Sequence, residues 1–153
     1  MKITLCGSMK FYKEMENLAE KLREAGHEVK VPLLRIEVEE AGKKRNMSIT
    51  TFIEERGGID LFGVDHPVWE EKSSAIDAHF EKIEWGDAVL AANYDKRGVA
   101  GYVGGNTLME MGLAKYLQKK IYLLLPVSSE VSYKEEILGM KPIILNNDLT
   151  LVK

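Results

Sequence analysis

The opening thirty or so residues, "KITLCGSMKFYKEMENLAEKLREAGHEVKVP", hold a strand, a helix and a second strand, and that unit limits what the chain can become. The β-rich run Ile3–Cys6 ends at Gly7-Ser8. Phe11, Met15, Leu18, Leu22 and Ala25 then recur at helical spacing until Gly26 stops the helix. The next segment, "HEVKVP", alternates like a strand and is closed by Pro32. A strand-helix-strand unit crosses over right-handed and leaves its strands parallel. Parallel sheets are covered on both faces, so the rest of the chain has to supply helices for each side.

The remaining pattern does so. A helix from Ser74 to about Trp85, with Ile76, Phe80 and Ile83 as its apolar stripe, leads into the buried strand "DAVLAANY". A glycine turn and a helix beginning near Thr107 precede the buried run "KIYLLLP". A weak helix near "YKEEILGM" leads to "KPIIL", and "LTLV" follows. These predict an α/β fold, a flavodoxin- or Rossmann-like three-layer sandwich with a five-stranded, mostly parallel sheet. One domain over 1–153 is expected. Residues 34–68 read as a variable, partly helical, solvated insertion, with a substrate lid as the alternative, combining "EVEEAGKKR", a short helix "SITTFIEER" and a loop with Gly57, Gly58, Gly63 and Pro67.

Composition narrows the function classes. With 45% apolar and 29% charged residues the chain is globular, and a net charge of −3 argues against nucleic acid as a partner. Cys6 is the single cysteine and lies in an apolar run, so a packed thiol in a reducing cytoplasm is expected. No apolar run approaches a membrane span, so no membrane partner is expected. His27, His66 and His79 form no ligand-spaced cluster with Cys6, so neither a metal nor a cofactor is implied.

Sheets of this kind bind ligands outside the carboxyl ends of their strands, where the strand order reverses. The loops concerned are Gly7-Ser8-Met9, Asn93-Tyr94-Asp95 and Gly104-Gly105-Asn106-Thr107. Thr107 and Glu110 fit a capping box. Yet Leu113, Ala114 and Leu117 share the face of Glu110 while Lys115 and Lys119 lie opposite, which turns the carboxylate inward at the ligand edge. Cap and nucleophile both remain open on these grounds. Gly104-Gly105 reads either as a plain turn or as an anion site at a helix N-terminus. His79 shares the inward face with Ile76 and Phe80, as a core histidine or a functional one. Asp77, in the capping-box pattern Ser74–Asp77, faces outward with Glu81 and Glu84.

The segment "NTLMEMGLAKYLQKKIYLLLP" resembles the G-T-x-x-E-x-G-x-A stretch, followed by a lysine and a buried strand, of nucleoside 2-deoxyribosyltransferases and the related 2′-deoxynucleoside 5′-phosphate N-hydrolases. The opening β-α unit and "FEKIEWGDAVLAANYD" are similar to those families as well, so the resemblance covers most of the chain outside 34–68. The glycine pair also resembles the P-G-G-x-G-T-x-x-E loop of cytokinin-type phosphoribohydrolases, one residue shorter. The resemblance implies that Glu110 is the nucleophile of N-glycosidic bond cleavage or transfer and that His79 helps the base depart. It further implies that Gly7, Ser8, Met9 and, more loosely, Tyr12, with Gly104, Gly105, Asn106 and Thr107, hold a nucleoside or nucleotide; the strand-end rule adds Asn93. His79 and Gly104 occupy positions where the families carry acidic residues. A non-catalytic nucleotide-sensing or partner-binding module is therefore the alternative; a phosphatase or flavodoxin-like carrier fits less well, for want of a hydroxyl-rich first loop. The resemblance implies a homodimer or larger assembly completed near "KPIILNNDLTLV", where Asn146-Asn147 also reads as a turn pair. Trp85, Leu108 and Met111, off the main helical stripes, point the same way.

Overall fold

The computed structural model describes residues 1–153. In chain order it forms β1 (Lys2–Gly7), α1 (Tyr12–Glu24), β2 (Glu28–Lys30), β3 (Ile36–Glu40), β4 (Lys43–Met47), α2 (Ile49–Glu55), α3 (Val68–Trp85), β5 (Ala88–Ala92), α4 (Gly105–Tyr116), β6 (Lys120–Leu123), α5 (Lys134–Gly139) and β7 (Ile143–Ile144). The chain divides into two compact units, residues 1–31 with 80–153, and residues 32–79. No helix is long and apolar enough to cross a membrane.

The first unit holds a five-stranded sheet in the order β2-β1-β5-β6-β7, and every neighbouring pair is parallel. Counted within the sheet the order is second, first, third, fourth, fifth, which is the flavodoxin-like arrangement. β5, "AVLAA", is buried from end to end, as a central parallel strand covered on both faces must be. On one face Ile3, Leu5 and Leu90 pack under Met15, Leu18, Ala19 and Leu22 of α1, with Leu145 and Val152 from the C-terminal segment. On the other, Cys6, Val89, Ala91 and Leu123 pack under Ile83 of α3, Met111 and Ala114 of α4 and Ile137 of α5. The predicted α/β three-layer architecture is thus present, with the sheet wholly parallel.

The second unit contains a feature the sequence reading passed over. β3 and β4 form an antiparallel hairpin, Ile36 opposite Met47 through Glu40 opposite Lys43. Its two-residue turn is Ala41-Gly42, both at positive φ, as a twist-matched hairpin turn requires. The "EVEE" and "KKR" runs that read as solvated charge face each other across the ladder: Lys44 reaches Glu37 at 2.9 Å and Arg45 reaches Glu40 at 3.6 Å, while Arg45 also pairs with Glu55 of α2 at 2.7 Å. Ser48 caps α2 by accepting from the Thr51 amide at 3.0 Å. Ile49, Ile53 and Val68 make this unit's own cluster with Phe52, Phe62 and Trp69.

Three local expectations are overturned. α3 begins at Val68, directly after Pro67, so Ser74 and Asp77 lie within the helix and form no capping box. α4 begins at Gly105 with Gly104 as its cap residue and no side-chain cap, so Thr107 sits in the first turn and Glu110 beyond it, and that capping box is absent too. Met111 is fully buried, Leu108 packs against the same cluster, and the Trp85 ring is covered by Lys30 at 4.1 Å and Lys2 at 5.4 Å from its centroid. These three residues therefore supply no argument for a second subunit. Asn146 and Asn147, by contrast, both adopt positive φ, as a turn pair does.

Because Met111 is a core residue of one chain, Met111→Ala should lower the unfolding free energy by about 2–4 kcal/mol. Chemical denaturation at several protein concentrations checks this, and the cost should be the same at each.

Candidate functional site

The strand order reverses between β1 and β5, where Gly7 stands opposite Ala92 at their carboxyl ends. A Cβ at Gly7 would lie 3.0 Å from Met15 Sδ and 3.2 Å from the Ala92 carbonyl oxygen, so the missing side chain is what lets α1 and β5 close on this corner. Ser8 follows in extended conformation, and a short turn over Met9–Phe11 closes with the Phe11 amide on the Ser8 carbonyl at 2.9 Å. Met9 leans on the α1-side core. Tyr12 is half-buried at the start of α1, its phenol bonded to Glu16, and burial followed by that contact raises its pKa.

The segment from β5 to α4 is laced by its own side chains. Asn93, fully buried, donates its Nδ2 to the Leu125 carbonyl at 2.8 Å and to the Gly101 carbonyl at 3.2 Å, and its Oδ1 accepts from the Leu125 amide at 2.9 Å. That amide ties the β5 loop to the β6 loop. Gly101 is held at φ +57°, where a Cβ would come within 1.9 Å of the Pro126 carbonyl oxygen. The Asp95 carboxylate accepts from the Gly101 amide at 2.9 Å, and Lys96 and Val99 exchange backbone bonds of 3.0 Å. Asp95 thus holds the loop. Tyr133 donates its hydroxyl to the Val103 carbonyl.

This loop brings in a residue the sequence reading missed. Lys96 Nζ donates to Ser8 Oγ at 2.9 Å and lies 5.5 Å from the centroid of the Tyr102 ring. Tyr102 in turn borders Gly104, for a Cβ there would sit 3.4 Å from its ring. Ser8, Lys96, Tyr102 and the α4 N-terminus thus follow one another along the ligand edge, a cation and a helix N-terminus on the same rim. Gly105 and Asn106 are exposed there, while Thr107 is buried. No motif marks Lys96; its position in the loop after the third sheet strand is the only hint the sequence offers.

Glu110 is half-buried on the inner face of α4, as its spacing predicted. It reaches Cys6, the residue before Gly7 on β1: Cys6 Sγ and a Glu110 carboxylate oxygen lie within 4.8 Å, and the thiol hydrogen-bonds the carboxylate. Cys6 is a packed thiol, as expected, and fully buried. Burial, then the Glu110 charge, then the hydrogen bond push its pKa well above the ordinary range. His79 is buried on α3, one residue before Phe80. Of the other histidines, His66 Nδ1 accepts the Val68 amide at 3.1 Å at the start of α3, and His27 lies 3.4 Å from the N-terminal amine.

The fold and this rim define an α/β protein of flavodoxin-like strand order with a carboxylate, a hydroxyl and a lysine near its topological switch point. No family model matches the chain, and no curated protein matches it in sequence. Among solved structures, the CMP N-glycosidase BcmB of Clostridium botulinum is similar to it, at 18% identity over 94% of this chain and 84% of that one, with a TM-score of 0.48.

The raised Cys6 pKa has a consequence for stability. An unfolded thiol ionises near about pH 8.5, whereas the folded one keeps its proton to higher pH. The stability tied to Cys6 is therefore complete below about pH 8.5 and is lost as pH rises beyond it. Unfolding free energies of the wild type and Cys6→Ser, measured from about pH 7 to about pH 10, should diverge in slope above the thiol's unfolded pKa. The wild type should lose stability more steeply.

Proposed function

We propose that the chain binds a nucleoside or nucleoside monophosphate at the carboxyl edge of β1 and β5 and cleaves or transfers its N-glycosidic bond, with Glu110 as the nucleophile. The observation that carries this reading is the Glu110 carboxylate, which lies within 4.8 Å of Cys6 Sγ near the end of β1, one residue before the Gly7-Ser8 loop. The resemblance of "NTLMEMGLAKY" to the deoxyribosyltransferase segment supports the same role. The Lys96–Ser8 pair and the uncapped α4 N-terminus favour a ligand that carries a phosphate.

In this mechanism a Glu110 oxygen attacks the anomeric carbon, forming a C–O bond as the C–N bond breaks. The electron pair of that bond leaves on the base nitrogen, which takes up a proton; His79 is the proposed donor, on the resemblance. Water, or the nitrogen of a second base, then attacks the anomeric carbon and frees the carboxylate. The proton lost by the attacking group restores the one taken by the departing base. Asn93 acts from behind, shaping the loop rather than touching the ligand, since its amide is engaged by backbone groups.

Incubation with nucleosides, deoxynucleosides and their monophosphates, followed by chromatography for free base, tests the reading. Glu110→Gln should retain ligand binding and lose base release by about a thousandfold or more. Binding without release from any substrate in the wild type would leave a nucleotide sensor, the reading that the histidine and glycine at the two expected acidic positions favour. Lys96→Ala should weaken monophosphate binding by about tenfold or more while leaving the bare nucleoside unaffected, as the loss of one charge-assisted contact predicts. Equal losses for both ligands would remove the phosphate from the Lys96 site.

A further inference from the structure

We propose that the cleft between α1 and the segment after β7, on the sheet face opposite the one α4 covers, is a second binding site. Its ligand is a zwitterionic peptide of about three residues, with free ends and an apolar middle side chain. The inference stands on cavity shape and charge, apart from the function proposed above.

The cleft exists because the two faces of the sheet are covered unequally. One face lies under Ile83 of α3, Met111 and Ala114 of α4 and Ile137 of α5. The other has α1 as its only α-helix, and Leu145, Leu149 and Val152 of the C-terminal segment stand in for a second. That segment does not close against α1. The opening between them measures about 380 Å³, toward the lower end of the range for small-molecule sites. Its floor is apolar: Leu124, just beyond β6, and Leu18 of α1 are buried, and Leu149 is half-buried.

The walls carry both signs of charge. Glu14, Asn17 and Lys21 line the cleft from the same side of α1 as Leu18, at helical spacing. Charge pairs on a helix form three or four residues apart, whereas Glu14 and Lys21 are two turns apart, a rise of about 10.5 Å, so they do not neutralise each other. Glu14 shares its end of the cleft with Tyr94, whose phenol has its pKa raised by burial and then by the Glu14 charge. The Tyr94 ring is braced by Phe11, 5.3 Å away between centroids. On the C-terminal side Asn147 is pinned by its backbone amide, which donates to the Leu124 carbonyl at 3.0 Å.

A phosphate ligand would bring a double negative charge against Glu14, so the lining selects a molecule with one charge of each sign at its two ends. An extended chain advances about 3.3–3.6 Å per residue, so a tripeptide covers the Glu14–Lys21 span. The ammonium of such a peptide meets Glu14 beside Tyr94, and its carboxylate meets Lys21. The Asn17 and Asn147 side-chain amides, each both donor and acceptor, suit its peptide groups. The middle side chain lies on the leucine floor.

Calorimetric titration of the intact chain with alanyl-leucyl-alanine tests this. Saturable binding of one peptide per chain is expected, weakened about tenfold or more by capping either end, as the loss of one charge-assisted contact predicts. Glu14→Gln should bind the free and the N-acetylated peptides alike, and Lys21→Ala the free and the C-amidated ones. Both residues are exposed, so the fold is retained. No binding up to millimolar peptide, or variants that the caps weaken as much as they weaken the wild type, overturns the proposal. So does a nucleoside monophosphate that displaces the peptide, for the cleft is then a nucleotide site. None of these measurements needs turnover, so a chain that releases no base leaves them intact.

Discussion

The pairing of β1 with β5 is the constraint on which the rest of the first unit depends. It joins two strands that are distant in sequence, in register from Ile3 opposite Ala88 to Gly7 opposite Ala92, and it sets the point where the strand order reverses. Because both strands run the same way, their carboxyl ends finish side by side. Their following loops then emerge on one edge, the first toward α1 and the second toward α4. The Ser8–Lys96 contact exists only because these two loops leave the sheet as neighbours.

A parallel pairing at the centre of a sheet demands small, apolar and fully covered strands, and the residues comply. β5 is an unbroken run of alanine, valine and leucine, and Cys6 and Ala91 leave room for Met111 and Ala114 to press down from α4. That close approach carries Glu110 to the end of β1. The groups on the rim are therefore consequences of packing as much as of chemistry: Gly7 admits α1, Gly101 admits the Pro126 backbone, and Asn93 replaces the hydrogen bonds that a loop turning away from the sheet would otherwise lose. The rim is thus shaped by packing groups behind it.

Much of this was legible in the linear pattern. The order of strands and helices, the terminators at Gly26 and Pro32, and the inward face of Glu110 all follow from periods of two and 3.6 residues, which are local properties. What the pattern misread was charge and polar capping. The β3–β4 hairpin is written mostly in Glu, Lys and Arg; β3 alternates only briefly, through Ile36 and Val38, and β4 not at all, so the pairing of opposite charges across Ala41-Gly42 is its clearest mark. The capping boxes at Ser74 and Thr107 failed because a cap is defined by where a helix begins. Helix starts at Val68 and Gly105 were set by Pro67 and by an extended Gly104 rather than by the hydroxyl residues downstream.

The sequence alone determined the α/β class, the five-stranded sheet of the first unit and the candidacy of Glu110, because apolar periodicity and glycine turns act over a few residues. The tertiary structure alone decided that every pair in the five-stranded sheet is parallel, that Lys96 meets Ser8 and that Cys6 lies near Glu110. Each of those is a meeting of segments far apart in the chain, brought together by the burial of the strands and helices that carry them. No local pattern encodes such a meeting, since the same lysine or cysteine elsewhere on the sheet would be an ordinary loop cation or a silent core thiol.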